Sequence, residues 1–295
     1  MKRRKFIKAS TITAATACIS GIPVFSGGGI DPVSRVTGES PYKIAKKGIE
    51  LLGGMKKFIS KQDIVMIKPN IGWNRKVEHA ANTNPEVLRA VIEMVFDAGA
   101  KKVIVMDNSC HKSEDTYRRS GIKEAVEKSG AEIRFSDENR LVVHNFNGEK
   151  LKKWPVFKDH LEVDKFINVP ILKHHSSAGL TIGMKNLYGI IGGRRGKLHR
   201  NMGENIADLA YGFKTDLTIV DAFRILKKNG PVGGRLSDVE LKKTIICSKN
   251  IFEADVVAVD LFGKNVDEID FIGAGFRRGM GQKDISKINL KTIKI

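Results

Sequence analysis

Cysteine is nearly absent from this chain: Cys18, Cys110 and Cys247 are the only three in 295 residues. Three cysteines cannot make a disulfide framework, and none has the close spacing of a zinc or iron–sulfur motif, which argues against a cysteine-ligated cluster. Cys110 and Cys247 fall in or beside strand-like segments and read as buried, unpaired thiols. Aromatics are sparse, with two Trp and four Tyr beside 14 Phe. No basic run is interleaved with them in the way a single-strand binder needs, so nucleic acid is not an expected partner. There is no pair of histidines four apart around a glutamate and no Gly-x-Ser-x-Gly elbow. No metal site is predicted. Gly192-Gly193-Arg194-Arg195-Gly196-Lys197 is one residue too short for a P-loop, and Leu198 follows where Ser or Thr is required. Gly273, Gly275 and Gly279 miss the dinucleotide fingerprint by one position.

Acidic residues are also in deficit. The chain carries 51 Lys and Arg against 33 Asp and Glu, a formal charge of +18. Five of the basic residues lie in the first eight, Met1 to Lys8 (MKRRKFIK), and the remainder keeps a charge of +13. That excess suits acidic ligands or serves a solvated surface. After the paired Arg3-Arg4 comes an uncharged stretch of about 17 residues, Ala9 to Phe25, diluted by Thr, Ser, Gly and Pro. A positive start, an apolar middle and a small-residue exit describe a cleavable signal, and the arginine pair assigns it to the twin-arginine route. Val24 and Ser26 suit a cut before Gly27. The stretch is marginal for a membrane span of ~20 residues. The expected division is a signal at 1–26, a linker at 27–41 and one α/β domain at 42–295. The expected destination is the periplasm or another exported location, with membrane attachment if the signal is retained. The first partner is then the twin-arginine export machinery.

Beyond the linker, strands and helices alternate. Asp63–Lys68 reads as a strand. Asn84-Pro85-Glu86 opens a helix whose Val87, Leu88, Val91, Ile92 and Val95 recur at helical spacing. Gly99 stops it, and Lys102–Met106 is the next strand, completing a βαβ unit with parallel strands. Further helices are expected near Tyr42–Leu52, Gly121–Ser129, Leu180–Ile191, Glu204–Phe213 and Asp255–Phe262. Further strands are expected at Ala131–Phe135, Val163–Val169, Leu217–Val220 and Thr244–Cys247. This alternation predicts an α/β fold, a mainly parallel sheet flanked by helices, with an irregular insertion near 136–160 that includes a hairpin or excursion around Leu141–Phe146.

Ligands of such sheets bind beyond the strand carboxyl ends. Those ends carry Lys68-Pro69-Asn70, then Asp107 and Asn108, then Lys173-His174-His175, and Asp221. The segment 180–191 places Lys185 and Asn186 in an apolar context, where an ammonium must meet a partner or an anion. The glycine/arginine turn adds Gly192, Gly193, Arg194 and Arg195 as an oxyanion or phosphate cradle. The expected ligand-binding set is therefore Lys68, Asn70, Lys173, Lys185, Asn186, Gly192, Gly193, Arg194 and Arg195. His175, oriented by Asp107 or Asp221, is the expected proton-handling group.

Several of these segments together resemble a known family. They are Lys68-Pro69-Asn70, the Asn84-Pro85 helix running to Ala98-Gly99-Ala100-Lys101-Lys102-Val103, Asn168 to His175, Thr181 to Gly189 with Lys185-Asn186-Leu187, Asp208, Thr218 to Ala222, and Ala254 to Asp260. In this order they resemble the family catalogued as domain of unknown function 362, over nearly all of the chain after the signal. The family has no assigned activity. Many members look redox-associated, some with appended ferredoxin-type cysteine motifs, which this chain does not share. Where relatives show Lys-Thr-His, this chain has Lys173-His174-His175, so His175 matches the family histidine. The resulting expectation is an exported enzyme acting on an anionic small molecule, a carboxylate or phosphate, through a Lys/His/Arg site, its cofactor unknown. The alternative is a non-catalytic ligand- or metallocofactor-binding or maturation protein that serves a redox partner. An iron–sulfur electron-transfer protein ranks last.

Overall fold

The computed structural model describes residues 31–295; the expected signal at 1–26 lies outside the described residues. The chain runs β1 (Val33–Thr37), α1 (Pro41–Glu50), β2 (Ile64–Pro69), α2 (Pro85–Asp97), β3 (Lys102–Val105), α3 (Ser113–Arg119), α4 (Ile122–Lys128) and β4 (Glu132–Ile133). A hairpin of β5 (Leu141–Asn145) and β6 (Lys153–Phe157) follows, then β7 (Lys165–Val169), β8 (Ile171–His175), β9 (Gly179–Thr181) and α5 (Gly183–Asn186). The chain closes with α6 (Met202–Gly212), β10 (Leu217–Leu226), β11 (Val239–Ser248), α7 (Ile251–Phe262), α8 (Asp270–Arg277) and β12 (Leu290–Lys294).

The main sheet has the order β12-β1-β11-β10-β7-β2-β3-β4. From β10 to β4 the neighbours are parallel. Along this order β11 runs against its neighbours β10 and β1, and off it β9 is antiparallel to β8. The fold is thus α/β with a mainly parallel sheet flanked by helices. Alternation along the strands divides the core in two, because successive side chains leave opposite faces. Val65, Ile67, Val103 and Val105 join the layer with α1 and α2, while Met66, Ile104 and Met106 join the layer with α6 and α7. Lys68 follows Met66 by two, so the same alternation sends it toward the second layer. Among the described residues no helix is long and apolar enough to cross a membrane.

Asn84 caps α2 by accepting from the Glu86 amide, with Pro85 in the first turn. Four expectations need correction. Val33–Thr37, expected within the linker, is a strand between β11 and β12. The stretch after Pro170, where no strand is expected, is β8, which pairs with β10 beyond the point where β7 leaves it. A proline cannot donate to the ladder, but its carbonyl accepts from Asp221 N at 2.8 Å, so the sheet continues past it. The helix at Asp255–Phe262 begins earlier, at Ile251, and is not the last, since α8 follows.

The fourth correction bears on the site. Residues 180–191 are not one helix but β9, the single turn α5 and a tighter turn over Leu187–Ile190. Two glycines explain why apolar spacing misled. A Cβ on Gly183 would lie 2.8 Å from Asp255 Oδ1, which accepts the Gly183 amide to start α5. A Cβ on Gly189 would lie 2.5 Å from Lys68 Cε. The segment is therefore wound tightly against two buried polar side chains, and its apolar residues serve close packing rather than one stripe.

Candidate functional site

Strands β2, β3 and β8 deliver their polar ends to one cleft, and α5 lies across it. The cleft opens to solvent, and its lining includes Asn70, Asp107, Cys110, Lys173, His175 and Lys185. Thr181, Asn186, Tyr188, Gly189 and Arg195 complete much of the wall.

At its base Lys68, fully buried, pairs with Asp107 at 2.7 Å. The other Asp107 oxygen accepts the Ile71 amide at 2.7 Å. Burial lowers the Lys68 pKa, and the Asp107 carboxylate opposes that shift. An asparagine chain fixes the next layer. Asn70 donates to Asn186 Oδ1 at 2.9 Å, and Asn186 donates to Asn168 Oδ1 at 2.8 Å. Asn70 Oδ1 then accepts from Lys173 Nζ at 3.0 Å, and Ala81 O accepts from the same nitrogen at 2.5 Å. Burial, with Lys185 and Lys68 close by, pushes Lys173 down to about 7.

Lys185 is held differently. It is 9 % exposed, and its ammonium stands 3.9 Å from the centre of the Tyr188 ring. Among the described residues no carboxylate or carbonyl accepts from it. A ring face compensates a cation only in part. Burial, with Arg195 and Lys68 nearby, pushes Lys185 down to about 8. Arg195 donates from one Nη to Asn108 O at 3.0 Å and Tyr188 O at 3.4 Å, which anchors it at the rim.

His174 and His175 are neighbours in β8 and so face opposite ways. His174 Nδ1 accepts from Gly230 N, outside the cleft lining. His175 Nδ1 accepts from the amides of Ser177 and Ala178 at 3.2 and 3.3 Å. An accepting Nδ1 in a neutral ring puts the proton on Nε2. Burial and the adjacent Lys185 and Lys173 push His175 down to about 3, so the ring is neutral near pH 7.

The structure brings together Lys68, Asn70, Asp107, Lys173, His175, Lys185, Asn186 and Arg195. It does not bring in the others. Asp221 is buried elsewhere, accepting the amides of Asn84 and Phe223 at 2.7 and 3.0 Å, with burial raising it to about 6. Neither Asp107 nor Asp221 orients His175; backbone amides do. Gly192 spends its amide on Pro155 O and its carbonyl on Trp154, so it is a structural turn. Gly193 and Arg194 are exposed and outside the lining. Cys110, expected to be buried, is an exposed free thiol at the cleft, whereas Cys247 is buried in β11. Sequence reasoning also missed Trp73 and Tyr188. The only available signal for Cys110 was its place three residues after Asp107 at a strand end.

A sheet of this kind with a cationic cleft beyond its strand ends defines the general class. The chain belongs to the family described as Domain of unknown function (DUF362), which matches residues 65–260. It is 27% identical over 240 residues to a thylakoid-associated protein of Synechocystis sp., covering 79% of this chain and 73% of that one. Among solved structures it is similar to the lactate racemase apoprotein from Thermoanaerobacterium thermosaccharolyticum, with a TM-score of 0.46 and 12% identity, covering 80% of this chain and 57% of that one. A protein from Thermotoga maritima gives a TM-score of 0.40 and 11% identity, covering 81% and 60%. The chain thus spans less than two thirds of either of these structures.

Proposed function

We propose that the cleft binds a small carboxylate or phosphate and that the protein is an enzyme acting on it. The observation that carries this reading is Lys185, a buried ammonium with only an aromatic face for company. A buried charge left unpaired is costly, and an anion in the cleft would compensate it. Arg195 adds to the positive field, while the nearest carboxylate, Asp107, is paired directly with Lys68. His175, neutral and protonated on Nε2, acts here as a hydrogen-bond donor to the anion rather than as a base.

Thermal unfolding in rising inorganic phosphate or oxalate tests the reading. Stabilisation that saturates with ligand is expected. The variant Lys185→Met should unfold at a higher temperature without ligand and lose most of the ligand-dependent rise. An unchanged rise in that variant sinks the assignment of Lys185.

The N-terminal arginine pair supports export by the twin-arginine route, and the thylakoid-associated description of a relative is compatible with such a destination. Replacing both arginines, Arg3→Lys with Arg4→Lys, should retain the protein in the cytoplasmic fraction. Export at the original level would refute that route.

A further inference from the structure

Lys173 is distinguished from the other cleft lysines by how its nitrogen is held. It is 1% exposed, has no carboxylate partner, and donates to two neutral oxygens, Asn70 Oδ1 and Ala81 O. The first acceptor is fixed in orientation, because the Asn70 amide nitrogen is committed to Asn186 and Asn186 to Asn168. An ammonium has three N–H donors, whereas a neutral amine has two and a lone pair. Two acceptors use two donors, and among the described residues no third acceptor meets Nζ. Lys173 lines the cleft, and in the amine form the position left unused by those two acceptors is the lone pair. The pairing of β8 with β9 sets Thr181 opposite Lys173, and Lys185 follows one short turn later.

We propose that Lys173 is a nucleophilic amine that condenses with the carbonyl of a small 2-oxo acid whose carboxylate rests against Lys185 and Arg195. This rests on the anion-binding reading above and adds a covalent step to it. The lone pair of Nζ attacks the carbonyl carbon, and the C=O π electrons move to oxygen. That oxygen gains a proton as the nitrogen loses one, giving a carbinolamine. Expulsion of the hydroxyl as water, with a second proton, leaves a C=N bond to Lys173. The balance is one amine and one carbonyl consumed, one imine and one water formed, with no oxidant or reductant. Desolvation beside other cations is a recognised way to make a lysine nucleophilic. The charged and titratable groups that act on Lys173 are Lys185, Lys68, Asp107 and Cys110, with neutral His175 in the same strand. Burial and the two lysines favour the amine, and Asp107 and Cys110 oppose it.

The test is reductive trapping of the full-length protein with glyoxylate and sodium cyanoborohydride, mapped by peptide mass spectrometry. The reduced adduct is expected on Lys173 ahead of the surface lysines, slowed by oxalate, and faster as pH rises through about 7. Lys173→Arg should lose that adduct. An adduct spread evenly over exposed lysines, or none on Lys173 while oxalate still stabilises the protein, overturns the covalent step and leaves anion binding standing. No stabilisation by oxalate or phosphate overturns both. The mapping on unaltered protein holds even if the variant fails to fold.

Discussion

Asp208 on α6 and Lys185 on α5 are both buried charges in the layer beneath the helices, and their surroundings are opposite in kind. Asp208 is fully buried, and its oxygens accept the amides of Glu149, Lys150 and Leu151 at 2.8–3.0 Å. Arg278 adds a charged partner at 2.7 Å and is itself shared with Glu204, also at 2.7 Å. Every lone pair there has a fixed donor, and the cluster ties the loop after β5 to α6 and the end of α8. Lys185 lies nearly as deep, yet has only the Tyr188 ring. A carboxylate can be satisfied by backbone amides from any tight turn. A lysine needs oxygens aimed at it, and around Lys185 the charges of Arg195 and Lys68 offset those of Asp107 and Cys110. Completeness marks the first cluster as structure; the incompleteness of the second is what the proposed anion site rests on.

The strongest way to break that contrast is to make the complete cluster incomplete. Asp208→Ala strands three amides and the buried Arg278 guanidinium at once, and should cost about 3–5 kcal/mol in denaturant unfolding. A loss under about 1 kcal/mol would mean that the cluster can rearrange and that partner counting does not separate structure from site. Next in size is Gly189→Ala. Its Cβ would fall 1.8 Å from Asp107 Oδ1 and 2.6 Å from Lys68 Nζ, so the ion pair at the cleft floor must shift. Overpacking of that kind costs about 1–3 kcal/mol, read by the same unfolding experiment, and ligand-dependent stabilisation should weaken with it.

How far the sequence revealed all this follows from the same chemistry. The βαβ unit through α2 was legible because Asn84, Pro85 and the 3.6-residue apolar spacing agree, and because β2 and β3 are short apolar runs. Lys68, Asn70, Asp107, Lys173 and His175 were legible because strand ends of a parallel sheet converge. Lys185 was found for a sound reason, an ammonium among apolar residues, on a wrongly drawn helix. Apolar periodicity cannot register that Gly183 and Gly189 are held by Asp255 and by the Lys68–Asp107 pair, which are distant in sequence. Asp221 shows the opposite error. A carboxylate at a strand end looks catalytic, but the amides that satisfy it come from Asn84 and Phe223, and only the fold brings Asn84 there.

A pH series sharpens the comparison further. Lys185 titrates at about 8 in the folded protein and near 10.4 when unfolded. Between those values the unfolded chain holds the extra proton, so ligand-free stability rises with pH across that window, and the penalty is fully present below about 8. Stabilisation by phosphate should fall over the same range as the lysine loses its charge. Asp255, raised by burial to about 8, contributes the opposite slope at lower pH in any variant that keeps it. The difference between unaltered protein and Lys185→Met therefore isolates the lysine. If the two pH–stability curves stay parallel from about 8 to 10, Lys185 is not titrating as a buried group.

The smallest effect belongs to the arginine next to the complete cluster. Arg277 and Arg278 are adjacent and both reach Glu204, but the Arg277 side chain is 61% exposed and that of Arg278 only 4%. An exposed pair gains little, because water already solvates both charges and ordering a long side chain costs entropy. Arg277→Ala should change stability by less than about 1 kcal/mol and leave phosphate binding unaltered. Arg278→Ala, one residue along, should cost far more than Arg277→Ala, since it leaves the fully buried Asp208 carboxylate without its charged partner. Urea unfolding of the two variants side by side decides the matter. Equal losses would show that the outer arginine belongs to the buried network, and burial would then no longer be what separates a structural charge from a surface one.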